Sequence, residues 1–300
     1  MRYLITGGTG TLGNALTKRL LKCGHSVTIY SRDEYKQYNM KAEFKNSKLN
    51  FIVGDVRDRE KTISSFRGMD RVIHAAAIKH VPVAEEDPQE AVKTNVLGTM
   101  NVIEACKLNG VKKAVLVATD KATHPVNLYG ATKMVGEHLF ISANQKSKTE
   151  FVCVRYGNVI GSRGSVIEYL LTKKPKTINS TDNRMTRFWL TIDQAVDLVM
   201  LAFKKAKRGE IIVPKAPASN VSEMFRWLIP DIKVIETGMR PCEKIHEVMV
   251  NLDESTHTKI FKDHFVIQPE IFGVKYDTKP FEYTSANARH LNREEFLKLI

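Results

Sequence analysis

Thr6-Gly7-Gly8-Thr9-Gly10-Thr11-Leu12-Gly13 stands directly behind the apolar run Tyr3-Leu4-Ile5 and directly ahead of a helical pattern from Ala15 to Lys22 that ends near Gly24. Strand, glycine-rich turn and helix in that order make a phosphate-binding unit. Gly7 and Gly10 let the backbone turn tightly and approach a pyrophosphate, and Gly13 lets the helix pack on the strand. The helix N-terminus adds free N–H groups and the positive end of its dipole. Thr9, Thr11 and Leu12 share the turn and count with the glycines as dinucleotide contacts. A glycine triplet alone is a weak signal; its place between the first strand and the first helix gives it meaning.

Outward from this unit, short β-branched or apolar runs recur at residues 2–6, 26–30, 50–53, 70–74, 112–118 and 150–155, with helical patterns between them. That is βαβ alternation and predicts a parallel sheet. The runs are apolar throughout rather than alternating, as strands covered on both faces require, so the expected fold is α/β, a Rossmann-type doubly wound sheet. Beyond about residue 160 the rhythm changes. Residues 173–187 are polar and turn-rich, a helix is expected over about 193–207, and shorter elements follow. Residues 1–160 are expected to form the dinucleotide-binding domain with the catalytic residues. Residues 161–300 mainly form a smaller substrate lobe, some of whose segments return to the first domain.

The second strand runs out into Ser31-Arg32-Asp33, where NAD-preferring proteins usually place a carboxylate for the ribose hydroxyls. Ser31 and Arg32 come first here and match a 2′-phosphate, with Lys36 a helical turn further on as a second cation. The preference is therefore for NADP over NAD. Asp33 either caps the next helix or binds ribose; its residue type and the preceding Arg32 favour the cap. Asp55 and Val56 behind Gly54, and Ala75 and Ala76 at the end of the fourth strand, suit adenine and ribose contacts.

Thr119-Asp120-Lys121 closes the fifth strand, and Tyr129-Gly130-Ala131-Thr132-Lys133 opens a helical pattern. Strand C-termini in open α/β sheets border the ligand crevice. Tyr129 and Lys133 are four apart and share a helix face, so the ammonium can favour the tyrosinate while reaching the cofactor ribose. Such a pair on an arbitrary helix is an ordinary surface contact, and an Asp-Lys dipeptide at a strand end is commonly a loop cap. The glycine fingerprint upstream turns both toward catalysis.

Composition narrows the field. The chain has 300 residues and 43% hydrophobic content, enough for a sizeable core, and no apolar stretch approaches the roughly 20 residues of a membrane span. Met1 leads straight into the first strand without signal-peptide features, so a cytosolic protein is expected. Cys23, Cys106, Cys153 and Cys242 lack CxxC spacing, and no structural metal or disulfide is expected. A net charge of +13 raises nucleic-acid binding, but no basic run with interleaved aromatics supports it, and the charge suits phosphate-bearing ligands instead.

The glycine motif with a later Tyr-x-x-x-Lys resembles the extended short-chain dehydrogenases. Five strings carry a closer likeness: Tyr30 to Glu34 (YSRDE), Ala75 to Pro82 (AAAIKHVP), Thr119 to Lys133 (TDKATHPVNLYGATK), Met185 to Leu190 (MTRFWL) and Met239 to Glu247 (MRPCEKIHE). Together they resemble the inverting UDP-N-acetylglucosamine 4,6-dehydratases of pseudaminic acid pathways, over nearly the whole chain. The resemblance implies that Tyr129 accepts the C4 hydroxyl proton while hydride passes to NADP⁺. Lys121 then removes the C5 proton, given an ammonium pKa lowered by burial and neighbouring cations. Asp120, if protonated, assists loss of the C6 hydroxyl, with Thr119 counted in the same catalytic group. Asn158 and Arg240 are implied as diphosphate contacts, Glu243 as acceptor from the uridine ribose, Arg187 as a further cation and Lys79 as a substrate contact; each has an ordinary structural alternative. A homo-oligomer is implied as well. Cys242 stands where the family has Gly, so a positive φ there would disturb the loop of Arg240 and Glu243. Retaining relatives carry Met at the place of Tyr129, and epimerases Ser or Thr in place of Asp120-Lys121. A non-catalytic dinucleotide-binding sensor or scaffold is the remaining rival.

Overall fold

The computed structural model describes residues 1–269 and 279–300. The first half alternates strictly. Strands β1 (Arg2–Thr6), β2 (Ser26–Ser31), β3 (Leu49–Val53), β4 (Arg71–His74), β5 (Lys113–Val117) and β6 (Glu150–Val154) are separated by helices. These are α1 (Thr11–Lys22), α2 (Glu34–Phe44), α3 (Arg59–Ser65), α4 (Val81–Glu86), α5 (Pro88–Val92), α6 (Gly98–Leu108) and α7 (Leu128–Ser142). Parallel pairing gives the order β3-β2-β1-β4-β5-β6, so the strand order reverses between β1 and β4 and opens a crevice at the strands' C-terminal ends. Tyr3, Leu4 and Ile5 of β1 and Val115 and Leu116 of β5 are at most 1% exposed, as expected for strands covered by helices on both faces.

The second half both leaves this sheet and returns to it. Strands β7 (Asn158–Val159), β8 (Thr177–Ser180), β9 (Thr186–Leu190), β10 (Ile211–Pro214), β11 (Ala218–Asn220), β12 (Lys233–Glu236), β13 (Val248–Val250), β14 (Thr258–Ile260), β15 (His264–Ile267) and β16 (Tyr283–Thr284) follow, with helices α8 (Val166–Lys173), α9 (Ile192–Lys205) and α10 (Val221–Leu228) among them. β10 pairs parallel with β6, and β15 and β14 add antiparallel, completing a nine-stranded sheet. The small sheets β11-β9-β7, β12-β8 and β13-β16 form the rest. A separate core of Ile160, Ile167, Leu170, Trp189, Met224, Phe225, Ile232, Leu291 and Phe296 holds this lobe together. The polar stretch 173–187, read as turns, contains β8; its Thr177-Ile178-Asn179-Ser180 lacks an apolar run and becomes a strand only by pairing with β12.

Among the described residues no helix is long and apolar enough to cross a membrane, and no cluster of His, Cys, Asp and Glu has the arrangement to hold a metal ion. The four cysteines are unpaired.

Candidate active site

A cleft of about 820 Å³ runs along the C-terminal ends of β1, β2, β4 and β5 and under the second lobe. At its floor Gly7 takes φ +67, and a Cβ there would lie 2.8 Å from the Ala76 nitrogen. A Cβ on Gly13 would overlap the Gly8 carbonyl. Gly10 precedes α1 without any side-chain cap, so the first amides of α1 face the cleft unanswered. This cradle fits a dinucleotide pyrophosphate. Behind it, His74 is held between the Thr6 and Thr99 hydroxyls at 2.7 and 3.0 Å. Burial, helped by Lys133, pulls its imidazole down to about 3, so it is a neutral spacer.

All the expected cofactor contacts line this cleft: the glycine turn with Thr9, Thr11 and Leu12, the cluster Ser31, Arg32 and Lys36, then Asp55, Val56, Ala75 and Ala76, and finally Tyr129 and Lys133. Asp33 caps α2 by accepting from the Lys36 amide at 2.9 Å, as its residue type predicts, and its carboxylate also engages the Lys36 ammonium. The Ser31 hydroxyl accepts from Gln37 at 2.9 Å. Arg32 is more open, its side chain 56% exposed and its guanidinium 3.7 Å from Asp55. Asp55 accepts from the Arg57 amide and guanidinium; burial opposes its charge, but those bonds outweigh it and hold the carboxyl below its usual range.

At the reacting end, Asn127 caps α7 through the Gly130 amide at 2.8 Å and sets Tyr129 in the first turn. Lys133 is 5% exposed, and burial lowers its ammonium to about 8 against the pull of Glu137 and Cys153. Burial raises the Tyr129 phenol, while the Lys121 ammonium and the Thr119 hydroxyl act in the opposite direction. Lys121 therefore acts as a cation toward tyrosinate, a role the four-residue spacing gave to Lys133. Asp120 is fully buried; one of its oxygens takes the Thr119 hydroxyl and the Lys121 ammonium, both at 3.0 Å, and the other has no partner. Burial and then the nearby Glu247 raise the Asp120 carboxyl, against Lys121. Lys121 departs from expectation. Burial works to lower its ammonium, yet Asp120 at 3.0 Å and Glu247 at 3.2 Å outweigh both burial and Arg187, and its pKa is raised.

Of the expected substrate contacts, Lys79 and Asn158 line the cleft. Lys79 donates to the Arg163 carbonyl at 2.9 Å. Arg187, Arg240 and Glu243 do not line it. The Arg187 guanidinium donates to the Thr186, Ile245 and Lys244 carbonyls at 2.7 to 3.0 Å, which makes it the clamp of the segment ahead of β13. Arg240 is exposed on the adjoining loop. Cys242 takes φ +70, the left-handed region, and its carbonyl accepts from Asn127 at 3.0 Å. Cys242→Gly is expected to remove roughly 1 kcal/mol of backbone strain and raise Tm by about 2 °C in a thermal melt.

Three further participants were not singled out from the sequence. Asn95 lies in a π-helical turn, Lys93–Leu97; it accepts from the Ile78 amide at 2.8 Å and donates to the Thr132 hydroxyl at 3.0 Å, which ties the β4 loop to α7. Arg163 straps the glycine turn, its guanidinium on the Thr9 carbonyl and its amide on the Thr11 hydroxyl at 3.1 Å. Glu247 faces Lys121. It stood inside the quoted MRPCEKIHE string, and the π turn had no composition signal at all.

Fold and site together define a Rossmann-type protein of the extended short-chain dehydrogenase class. Residues 3–269 match the family model described as Polysaccharide biosynthesis protein, and the chain belongs to that family. It is 44% identical over 282 residues to a UDP-N-acetylglucosamine 4,6-dehydratase (inverting) of Campylobacter jejuni subsp. jejuni, covering 91% of this chain and 84% of that one. A UDP-glucose 4-epimerase of Rickettsia rickettsii is 39% identical, covering 99% and 94%. The X-ray structure of Pen from Bacillus thuringiensis superposes with a TM-score of 0.93 at 36% identity, over 100% of this chain and 96% of that one. The likeness drawn from the five strings agrees with the first of these relatives.

Proposed function

We propose that this protein is an inverting 4,6-dehydratase that converts UDP-N-acetylglucosamine to UDP-2-acetamido-2,6-dideoxy-β-L-arabino-hex-4-ulose. The observation that carries this reading is the Asp120–Lys121 pair, 3.0 Å apart at the end of β5 and electrostatically in contact with Tyr129. Epimerisation at C4 needs one group to move the hydroxyl proton. Elimination across C5 and C6 needs in addition a base for the C5 proton and an acid for the C6 oxygen, and the pair supplies both types.

A bound nicotinamide dinucleotide supplies the hydride acceptor at C4 and the hydride donor at C6. Tyr129 accepts the C4 hydroxyl proton, helped by Lys121 and Thr119, and the resulting ketone acidifies C5. Asp120, whose carboxyl burial raises against the pull of Lys121, gives a proton to the departing C6 oxygen from its protonated form. Lys121 takes the C5 proton once its resting ammonium has passed its own proton to solvent, and a solvent-derived proton delivered to C5 from the opposite face inverts that centre. Lys79 and Asn158 orient the substrate, with Arg240 on the diphosphate and Glu243 on the uridine ribose, brought in by their loop. A cytosolic, homo-oligomeric enzyme serving pseudaminic acid synthesis completes the reading.

Proton NMR with UDP-N-acetylglucosamine and NADP⁺ in D₂O tests it. The expected result is a C6 methyl signal, deuterium at C5 and L-configured ring couplings. D-configured couplings would mean retention, and C4 epimers without a methyl signal would place the chain with the epimerase-named relatives.

The dinucleotide is proposed to be NADP, on the strength of Arg32 standing open beside Ser31 and Lys36. Arg32→Ala is expected to weaken NADP⁺ binding by roughly 10- to 100-fold in a calorimetric titration, the loss of a charge-assisted bond, with NAD⁺ affinity little changed. Equal losses for both dinucleotides would remove the 2′-phosphate role.

A further inference from the structure

Two carboxylates share one lysine behind the reacting groups, and their surroundings differ. Asp120, on the β5 loop, has Lys121 at 3.0 Å as its only cation within 4 Å among the described residues; its second oxygen, like Oε2 of Glu247, is buried without a hydrogen-bond partner, so the difference lies in the cations. Glu247, arriving from the second lobe ahead of β13, is 3% exposed and lies 3.2 Å from Lys121, 3.7 Å from Arg187 and 3.7 Å from Lys244. Lys244 is anchored at 2.6 Å to the Thr123 carbonyl, and Arg187 to the backbone of Lys244 and Ile245, so these cations are fixed in place. The other titratable groups that interact with the Asp120 charge are the phenol of Tyr129 on α7 and, beyond 4 Å, the ammonium of Lys244.

Two buried carboxylates this close to one ammonium do not both ionise freely. The negative charge settles where three cations meet it. We infer that Glu247 is a positioning residue that carries the anionic charge of this cluster, and thereby leaves Asp120 holding the proton that the elimination consumes. The directions agree: burial works against both acids, but three cations hold Glu247 below its usual range while Asp120 is raised. The inference rests on the dehydratase reading and assigns it a residue from the lobe that carries the uridine loop.

The test uses the full-length, cofactor-loaded enzyme and its Glu247→Gln and Glu247→Asp variants. In Glu247→Gln, Asp120 becomes the sole counterion of Lys121 and ionises. Lys121 keeps one anionic neighbour either way, so the acid is what is lost. Because Asp120 must be protonated, methyl formation falls as pH rises through its pKa, and removing the like charge moves that fall to lower pH by roughly one unit or more. At neutral pH methyl formation should drop about 10- to 100-fold while C4 oxidation persists, so the near-ultraviolet absorbance of the reduced nicotinamide accumulates. Glu247→Asp should restore the wild-type profile. An unchanged pH profile in folded Glu247→Gln, or equal loss of oxidation and methyl formation, overturns the inference.

A readout independent of turnover is the infrared carbonyl band of a protonated carboxyl, identified by its disappearance in Asp120→Asn. It should be present in the wild type at neutral pH and titrate at lower pH in Glu247→Gln. Its absence from the wild type overturns the inference even where Glu247→Gln does not fold. If the band behaves as expected while wild type forms no methyl product, the charge assignment stands and the dehydratase reading fails.

Discussion

Tyr129→Phe should slow C4 oxidation and methyl formation together, by roughly 10²- to 10⁴-fold, a far larger loss than any in dinucleotide affinity. Phenylalanine keeps the ring packing in the first turn of α7 and removes only the oxygen. The cap from Asn127 and the bond from the Thr132 hydroxyl to the Tyr129 carbonyl at 2.8 Å hold the backbone, so the helix stays in place. Burial keeps the resting phenol protonated, and Lys121 and Thr119 are the groups that ease its ionisation. The first chemical step therefore depends on this oxygen, and every later step depends on the first. Stopped-flow absorbance of the reduced nicotinamide, read beside the methyl signal, checks the prediction. Loss of methyl formation with oxidation intact would show that another group takes the C4 proton.

Arg155→Met is expected to destabilise the fold by about 3–5 kcal/mol, the cost of breaking a buried ion cluster from one side. Arg155 is 2% exposed; it donates to both oxygens of Glu137 on α7, both oxygens of Glu254 and the Met249 carbonyl, at 2.7 to 3.0 Å. Methionine fills the volume and leaves two carboxylates without their cation. Burial opposes the Glu254 charge, but Arg155 outweighs it and holds the carboxyl below its usual range. In the wild type that contribution is complete above the unfolded pKa and is lost as pH falls through the folded one. In the variant the sign reverses: the uncompensated acid favours its protonated form, so the deficit shrinks as pH falls from 8 toward 5. Thermal melts at both pH values check this, and a deficit independent of pH would mean that lost packing, not uncompensated charge, is responsible.

Much of this was legible in the chain. The strand-turn-helix context of Gly7 to Gly13 dictated the first βαβ unit, and period and apolarity placed the six parallel strands. Asp33 was readable as a cap from its residue type and position. Local strings also marked Asp120 and Lys121, just past the end of β5, and Tyr129, in the first turn of α7. What escaped depends on distant segments meeting. The Lys121 ammonium was expected to be lowered, since nothing near it in sequence announced that Glu247 would arrive 3.2 Å away. Arg187 read as a free cation until three backbone carbonyls claimed it. β8 has no strand signal without β12, and Asn95 owes its place to a π turn that composition does not encode.

The return of β10, β15 and β14 to the main sheet bears on how the enzyme opens. A protein closing over its ligand by hinge motion needs a few residues that absorb the rotation. Here the second half is woven into the first through successive strand pairings, and swinging it away would break the sheet. Traffic into and out of the cleft is therefore expected to fall to the parts outside that sheet, among them the short strap from Gly161 to Ser165 that Arg163 fastens across the glycine turn. An enzyme built this way exchanges small ligands by unbuttoning one edge while its frame stays still.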